Sequence, residues 1–105
     1  MRRTMNDCLF CRLLRKELPV AGVYEDDHTF AFLDIHPASR GHLLVIPKNH
    51  YERLIDMPEK EYLAFMRTFQ KIVRGLMTYA PAVNILRNEG KDAGQLVPHV
   101  HIHII

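Results

Sequence analysis

Three histidines near the end of the chain have the residue type and the spacing for chemistry. His99, His101 and His103 alternate with β-branched residues. Because successive side chains of a strand point to opposite faces, the three imidazoles would share one face at intervals of about 6.6 Å. Imidazoles suit either metal ligation or nucleophilic and acid–base catalysis. The competing interpretations are polar fillers on a partly exposed strand or a remnant of a His tag, but a tag would not alternate with β-branched residues.

A second candidate group is the cysteine pair Cys8 and Cys11, which form a C-x-x-C arrangement. Two cysteines do not make a disulfide framework, which leaves a metal half-site, a redox pair or two incidental thiols. The strand–helix context of a thioredoxin-like redox motif is missing. Three histidines of one regular strand can hardly all reach a single zinc ion, whereas two cysteines with two histidines would make a closed tetrahedral site.

Two helices are predicted among the elements that position these residues. Apolar residues recur at helical spacing between Tyr62 and Leu76. With Pro58 suited to a first helical turn, this spacing predicts a long helix over 58–79. A short helix with an apolar face is predicted over 8–17.

Five strands are predicted from short apolar segments that polar turns separate. The segments do not alternate regularly with helices, so the pattern favours an α+β domain with a mainly antiparallel sheet, one long helix and one short helix. The predicted strands lie at 20–24, 29–34, 42–47, 82–87 and the last residues of the chain.

Length and composition limit the function classes. The 105 residues suit a single domain, predicted to span 1–105. With 48% hydrophobic and 25% charged residues, the composition excludes a disordered chain. A formal charge of +2 with scattered Lys and Arg does not favour a nucleic-acid partner. Because no apolar run approaches the roughly 20 residues that span a bilayer, and no export signal is recognised, we expect no membrane partner and a cytoplasmic location.

The motifs together resemble those of a known family. The run His99-Val100-His101-Ile102-His103-Ile104-Ile105 matches the signature of the histidine-triad (HIT) family, in which three histidines alternate with apolar residues. The match covers nearly the whole chain and implies the HIT-like fold of a zinc-binding, C-x-x-C type member. The other matching segments are Cys8 to Cys11, Glu17 to Pro19, Tyr24 to Asp26, Ala31 to Ile35, Gly41 to Lys48, Asn88 to Gly90, and Gly94-Gln95.

The resemblance implies a nucleotide-binding phosphoryl-transfer enzyme. His101 matches the nucleophile that attacks the α-phosphorus of a nucleoside phosphate derivative and forms a covalent nucleotidyl-histidine. Independently of the family, a neutral imidazole with a pKa near 6.5 is nucleophilic at pH 7. On the same physical grounds, the flanking His103 and His42 could supply hydrogen bonds or protons to phosphate oxygens and the leaving group. Taken alone, His42 could simply bond to the backbone.

Further positions match the family's nucleotide contacts. Asp34 matches the residue that holds the ribose, and Ile35 matches the residue against the base. Asn88 and the backbone turn at Gly94 and Gln95 match phosphate contacts. Taken singly, Asp34 could cap the loop that follows it, and Asn88 could be an ordinary turn former.

The resemblance also completes a metal site. His50 and His99 match the residues that join Cys8 and Cys11 around a zinc ion in related proteins. With four protein ligands and none open for water, the role of this zinc would be structural.

Two departures from the family pattern affect the expected function. Leu96 stands where many members have Ser or Thr, and the chain stops at Ile105, so the domain is expected to lack the family's usual C-terminal tail. We expect a homodimeric nucleotidyl hydrolase that acts on purine nucleoside phosphoramidates or similar mononucleotide derivatives. The alternatives are a dinucleoside polyphosphate hydrolase or phosphorylase, a nucleotide-binding interaction protein with weak catalysis, and a metallohydrolase with zinc at the triad.

Overall fold

An antiparallel five-stranded sheet forms the centre of the chain. The computed structural model describes residues 7–34, 37 and 41–105. All neighbouring strands pair antiparallel in the spatial order β1-β2-β3-β5-β4, which confirms the predicted α+β class. The strands are β1 (Gly22–Glu25), β2 (Thr29–Leu33), β3 (Leu43–Pro47), β4 (Ile85–Leu86) and β5 (Ile102–Ile104).

Both predicted helices are present, and each is shorter than the pattern predicts. The short helix α1 spans Leu9–Leu14 rather than 8–17, because Lys16 adopts a left-handed backbone with φ of 62° that ends the helix. The long helix α2 spans Glu59–Leu76, directly after Pro58. Among the described residues, no helix is both long and apolar enough to cross a membrane.

The prediction of a strand over 82–87 is too long. Only Ile85–Leu86 pairs with β5, opposite Ile104 and His103. Asn84 and Ile105 exchange two more backbone hydrogen bonds, of 2.8 and 2.9 Å, so residues 82 and 83 lie beyond the ladder.

The two faces of the sheet carry different helices. Alternate residues of the strands point to opposite faces, so each face has its own apolar cluster. Buried residues of α2, Phe65, Phe69 and Ile72, pack against one face, which confirms that the apolar stripe of the long helix is core. The opposite face packs against Phe10 and Leu14 of α1, and its strand residues are Phe30, Phe32, Leu44 and Ile46.

Candidate active site and metal centre

The four predicted metal ligands lie together in one buried cluster. Cys8 Sγ is 3.4 Å from Nδ1 of His99, and Cys11 Sγ is 3.4 Å from Nδ1 of His50 and 3.6 Å from Nδ1 of His99. The two Nδ1 atoms are 3.2 Å apart. Around tetrahedral zinc, sulfur and nitrogen ligands are separated by about 3.5 Å and two nitrogens by about 3.3 Å. These four separations match a tetrahedral zinc site, and all the donor atoms lie within 4.8 Å of one another.

Three separate parts of the fold bring these ligands together. Cys8 is the N-terminal cap of α1, where its Sγ accepts the backbone N–H of Cys11 at 3.5 Å. His50 follows β3, and His99 precedes β5, 91 residues after Cys8. A metal ion bound here would connect α1 to the neighbouring strands β3 and β5.

The protonation chemistry of the cluster also fits a metal cation. Nε2–H of His99 donates to the carbonyl of Pro47 at 2.9 Å, which leaves the lone pair on the Nδ1 atom that faces the cysteines. Burial lowers the pKa of His99 to about 4 and raises the pKa of the Cys8 thiol to about 11. A neutral imidazole can bind a metal cation, and such a cation would supply the positive charge that a buried thiolate needs.

His101 has the tautomer that a nucleophile requires. Its Nδ1–H donates to the backbone carbonyl of His99 at 2.7 Å, so the lone pair of the neutral ring is on Nε2. Burial lowers the pKa of His101, which keeps the ring neutral. The ring of Phe10 packs edge-to-face against it with 5.1 Å between centroids. His101 is thus a buried, neutral and oriented imidazole.

The other two predicted catalytic histidines are adjacent to His101. Nε2 of His42 lies 2.9 Å from Nδ1 of His103, and the ring centroids of His101 and His103 are 5.2 Å apart. Asp34 lies next to His42, and its Oδ2 is 3.7 Å from Nε2 of His42. Ile35, the predicted base contact, lies outside the described residues. The structure therefore brings a carboxylate and three imidazoles to one location.

The predicted phosphate contacts lie in the connection between β4 and β5, in the segment from Asn88 to Gln95, which is called the phosphate loop below. Gly90 and Gly94 have positive φ angles of 95° and 96°, and the amide of Asn88 donates to the carbonyl of Gly94 at 3.5 Å. The side chain of Gln95 organises this loop: its Oε1 accepts the N–H of Gly90 at 2.8 Å, and its amide donates to Glu52 and Val97 carbonyls. Because its side-chain atoms are already hydrogen-bonded within the protein, Gln95 would contact a ligand through its backbone.

Leu96, the departure noted in the sequence, follows this loop and is 91% exposed. It has no hydroxyl to donate to a phosphate or a leaving group. The apolar side chain instead adds an exposed hydrophobic group beside the loop.

Arg87 is a feature that the sequence analysis missed. It follows β4, and its side chain is only 10% exposed. Its guanidinium donates to the carbonyl of Asn88 and, at 2.5 Å, to Oε1 of Glu89. The available signal was an arginine at the end of the predicted strand over 82–87.

The comparison with family models agrees with this geometry. The model described as the HIT domain matches residues 15–105. The chain belongs to the HIT domain family. The matched segment includes the triad and His50 but begins after the two cysteines.

Relatives of this HIT domain include one uncharacterized protein and two proteins whose names state an activity. An uncharacterized HIT-like protein of Methanocaldococcus jannaschii is 48% identical over 93% of this chain and 77% of its own length. An adenosine 5′-monophosphoramidase of Saccharomyces cerevisiae is 38% identical over 93% of this chain and 61% of its own. An adenylylsulfatase of Arabidopsis thaliana is 41% identical, and the match covers 95% of this chain and about half, 52%, of that protein.

Solved structures of HIT proteins share the fold. A HIT family protein of Bacillus subtilis has a TM-score of 0.89 with 39% identity, covering 95% of this chain and 72% of that chain. A zinc-bound histidine-triad protein of Mycobacterium smegmatis has a TM-score of 0.86 with 37% identity, covering 94% and 73%. The five-stranded sheet with two helices is therefore the HIT fold.

Proposed function

We propose that this HIT domain is a nucleotidyl hydrolase in which His101 forms the covalent intermediate. The observation that carries the proposal is the hydrogen bond from His101 Nδ1–H to the His99 carbonyl, because it directs the lone pair of a neutral ring to Nε2. We propose purine nucleoside phosphoramidates or similar mononucleotide derivatives as substrates. Relatives named as an adenosine 5′-monophosphoramidase and an adenylylsulfatase support an adenylyl group as the part transferred.

The proposed reaction has two displacements at the α-phosphorus. In the first, Nε2 of His101 forms a bond to phosphorus, the bond from phosphorus to the leaving nitrogen breaks, and the amine takes a proton from the paired imidazoles of His42 and His103. In the second, water attacks phosphorus, the bond to His101 breaks, and the proton of the water returns to the same pair. The products are the nucleoside monophosphate and the amine.

We assign substrate positioning to Asp34, to Ile35 and to the loop from Asn88 to Gln95. Asp34 accepts a ribose hydroxyl, and the Asn88 amide with the backbone at Gly94 and Gln95 contacts the phosphate oxygens. These contacts stabilise the negative charge on the phosphate oxygens, which redistributes during the displacement. Ile35 is the proposed contact of the purine base.

We propose that Cys8, Cys11, His50 and His99 hold a structural zinc ion. A bound zinc ion would supply a rigid link between α1 and the strand that carries His101. Support comes from the donor spacing and from the zinc-bound neighbour of Mycobacterium smegmatis. Cys8 and Cys11 are available to a metal rather than paired in a disulfide, which is typical of reducing compartments, so we propose a cytoplasmic location.

We also propose that two copies of the chain form a homodimer through β4. This strand lies at the edge of the sheet, and Ile85 and Leu86 are about half-exposed on it. An exposed apolar edge strand is suited to pairing with the same strand of another copy.

The test of the proposed function is AMP release from adenosine 5′-phosphoramidate. We expect His101→Ala to reduce release by about 10³-fold or more, because a covalent nucleophile is lost. His28→Ala is the matched control, since His28 is exposed and outside the site, and it should keep full activity. Acid quenching of the native reaction should yield protein heavier by one adenylyl group, with the adduct absent from the His101 variant.

Two results would contradict the proposal. Undiminished release by His101→Ala would exclude this nucleophile. AMP binding by the native chain without any release would instead identify a nucleotide-binding protein, an alternative that the exposed Leu96 in place of a hydroxyl residue favours.

A further inference from the structure

Arg87 is the buried charged group closest in the chain to the proposed phosphate loop. Its side chain is nine-tenths buried, and NH1 donates to the carbonyl of Asn88. NH2 donates to Oε1 of Glu89 at 2.5 Å and to Oε1 of Gln95 at 3.4 Å. One guanidinium thus contacts the first residues of the loop and the residue that closes it.

The two side-chain partners of Arg87 are themselves bonded to other segments. Glu89 accepts the backbone N–H groups of Leu54 and Ile55 at 3.0 and 3.1 Å. Gln95 donates to the carbonyl of Glu52 at 2.6 Å. Through these partners Arg87 connects the loop to Glu52 and to the 3₁₀ turn Leu54–Asp56, which precede α2, and so limits the positions that the loop can adopt.

The charge of Arg87 also acts on the histidines of the site. Burial is the main cause that lowers the pKa of His103; the neighbouring His42 lowers it further, Asp34 raises it, and the Arg87 charge makes a smaller lowering contribution. Glu89 neutralises part of the Arg87 charge through the ion pair. Buried Nε of Arg87 has no hydrogen-bond partner in the described part of the chain. The Arg87 charge therefore acts on the triad, while its N–H donors contact the loop.

We infer that Arg87 is a positioning residue that holds the Asn88–Gln95 loop in the shape that binds the substrate phosphate. The inference rests on the proposed function, because it assigns this loop to the phosphate. A planar guanidinium can hold the Asn88 carbonyl and the Gln95 amide oxygen at the same time, whereas a lysine ammonium is a compact charge without that geometry. Arg87 acts through the loop, so its removal should weaken recognition of the phosphate and leave recognition of the nucleoside unchanged.

The test compares the dissociation constants of AMP and adenosine by calorimetry. In Arg87→Met we expect AMP to bind about tenfold more weakly or worse, as for the loss of hydrogen bonds to a charged group, with adenosine unchanged. Arg87→Lys should give an intermediate loss, because the charge is kept and the fork is not. Arg74→Met removes an exposed arginine near the end of α2 and should change neither constant.

Specific outcomes would overturn the inference. Equal weakening of AMP and adenosine in Arg87→Met would show a general structural role, and an unchanged AMP constant in either Arg87 variant would show that the guanidinium fork is not needed. If Arg87→Met does not fold, the Arg87→Lys constants decide between these results.

The failure of this inference is distinguishable from failure of the proposed function. If the native chain releases AMP from adenosine 5′-phosphoramidate and Arg87→Met retains AMP affinity, only the role of Arg87 is wrong. If AMP binding depends on Arg87 but the native chain releases no AMP, the hydrolase proposal is wrong and the role of Arg87 stands. A native chain that binds no AMP overturns both.

Discussion

The backbone carbonyl of His99 joins the metal cluster to the proposed nucleophile. The ring of His99 faces Cys8 and Cys11 through Nδ1, while its carbonyl accepts the Nδ1–H of His101. The ring and the carbonyl belong to one residue. An ion that fixed the position of the His99 ring would therefore also fix the position of the carbonyl that sets the tautomer of His101. The metal would therefore affect catalysis through position, without contact with the substrate.

Substitution of Cys11 tests the metal centre at the residue scale. Cys11 is fully buried, and its Sγ lies within 3.6 Å of both histidine ligands. We expect the purified native chain to hold about one zinc ion and Cys11→Ser to hold less than about a tenth of that, since a hydroxyl is a poor zinc ligand. The measurement is metal content by mass spectrometry, with a thermal melt that should show lower stability for the variant.

His28→Gln is the control for this experiment because it changes an exposed histidine, and it should retain the zinc. A Cys11→Ser protein that keeps its full zinc content would rule out the cysteine-containing site. Zinc that is then lost on substitution of His103 would favour the alternative of a metal at the triad.

The residue types of this site were predictable from sequence, but their network was not. Alternation of His99, His101 and His103 with apolar residues, together with the family pattern, led to the catalytic and metal assignments. The hydrogen bonds of Arg87 and Gln95 depend on the conformation of a glycine-containing loop. No periodic pattern specifies such a loop, because each bond joins groups that only the folded chain brings together.

At the scale of elements, Asp26 connects the β1–β2 turn to α2. Its Oδ1 accepts the N–H groups of His28 and Thr29, both at 2.9 Å. Its Oδ2 accepts the hydroxyls of Thr68 at 2.9 Å and Tyr24 at 3.3 Å. Burial alone would raise the pKa of Asp26, but these four hydrogen bonds bring it below the usual value. The polar turn was predictable from sequence, whereas the partner on α2, 42 residues away, was not.

Asp26→Asn should therefore destabilise the protein in a pH-dependent way. We expect a loss of about 1–3 kcal/mol in the free energy of unfolding at pH 7, because an amide cannot accept all four hydrogen bonds. A carboxyl with a lowered pKa stabilises the fold fully above its unfolded pKa, about 3.9, and loses this contribution as pH falls through its folded pKa. The difference between native and variant, measured by urea unfolding, should thus be largest near pH 7 and shrink below about pH 4.

Asp27→Asn is the matched control, since Asp27 is adjacent and exposed, and it should change stability little at either pH. A constant difference between native and Asp26→Asn from pH 7 to pH 3 would contradict the role of the ionised carboxylate.

Element boundaries illustrate what the sequence could not specify. The helical spacing of apolar residues located α2 to within three residues at its C-terminal end, because one long stripe must face the sheet. The strand predicted over 82–87 is only Ile85–Leu86, because pairing depends on β5 and on where Arg87 turns into the loop. Local pattern predicts that a segment is extended, whereas the length of a ladder is set by its partner.

At the scale of the whole molecule, the two edges of the sheet lie at different distances from the proposed active site. β1 forms one edge and β4 the other, and β4 pairs directly with the strand that carries His103. A second copy bound along β4 would lie beside β5, whereas one bound along β1 would be three strands away from β5. The proposed dimer therefore places its interface next to the proposed active site.

Ile85→Lys tests this interface against a matched change at the opposite edge. Ile85 is 53% exposed on β4, and Val23 is 52% exposed on β1. We expect the native chain and Val23→Lys to sediment as dimers and Ile85→Lys to sediment as a monomer, because an edge lysine opposes pairing between strands. Sedimentation velocity at several protein concentrations makes the measurement. A native chain that remains monomeric, or an Ile85→Lys protein that stays dimeric while Val23→Lys dissociates, would show that β4 is not the interface.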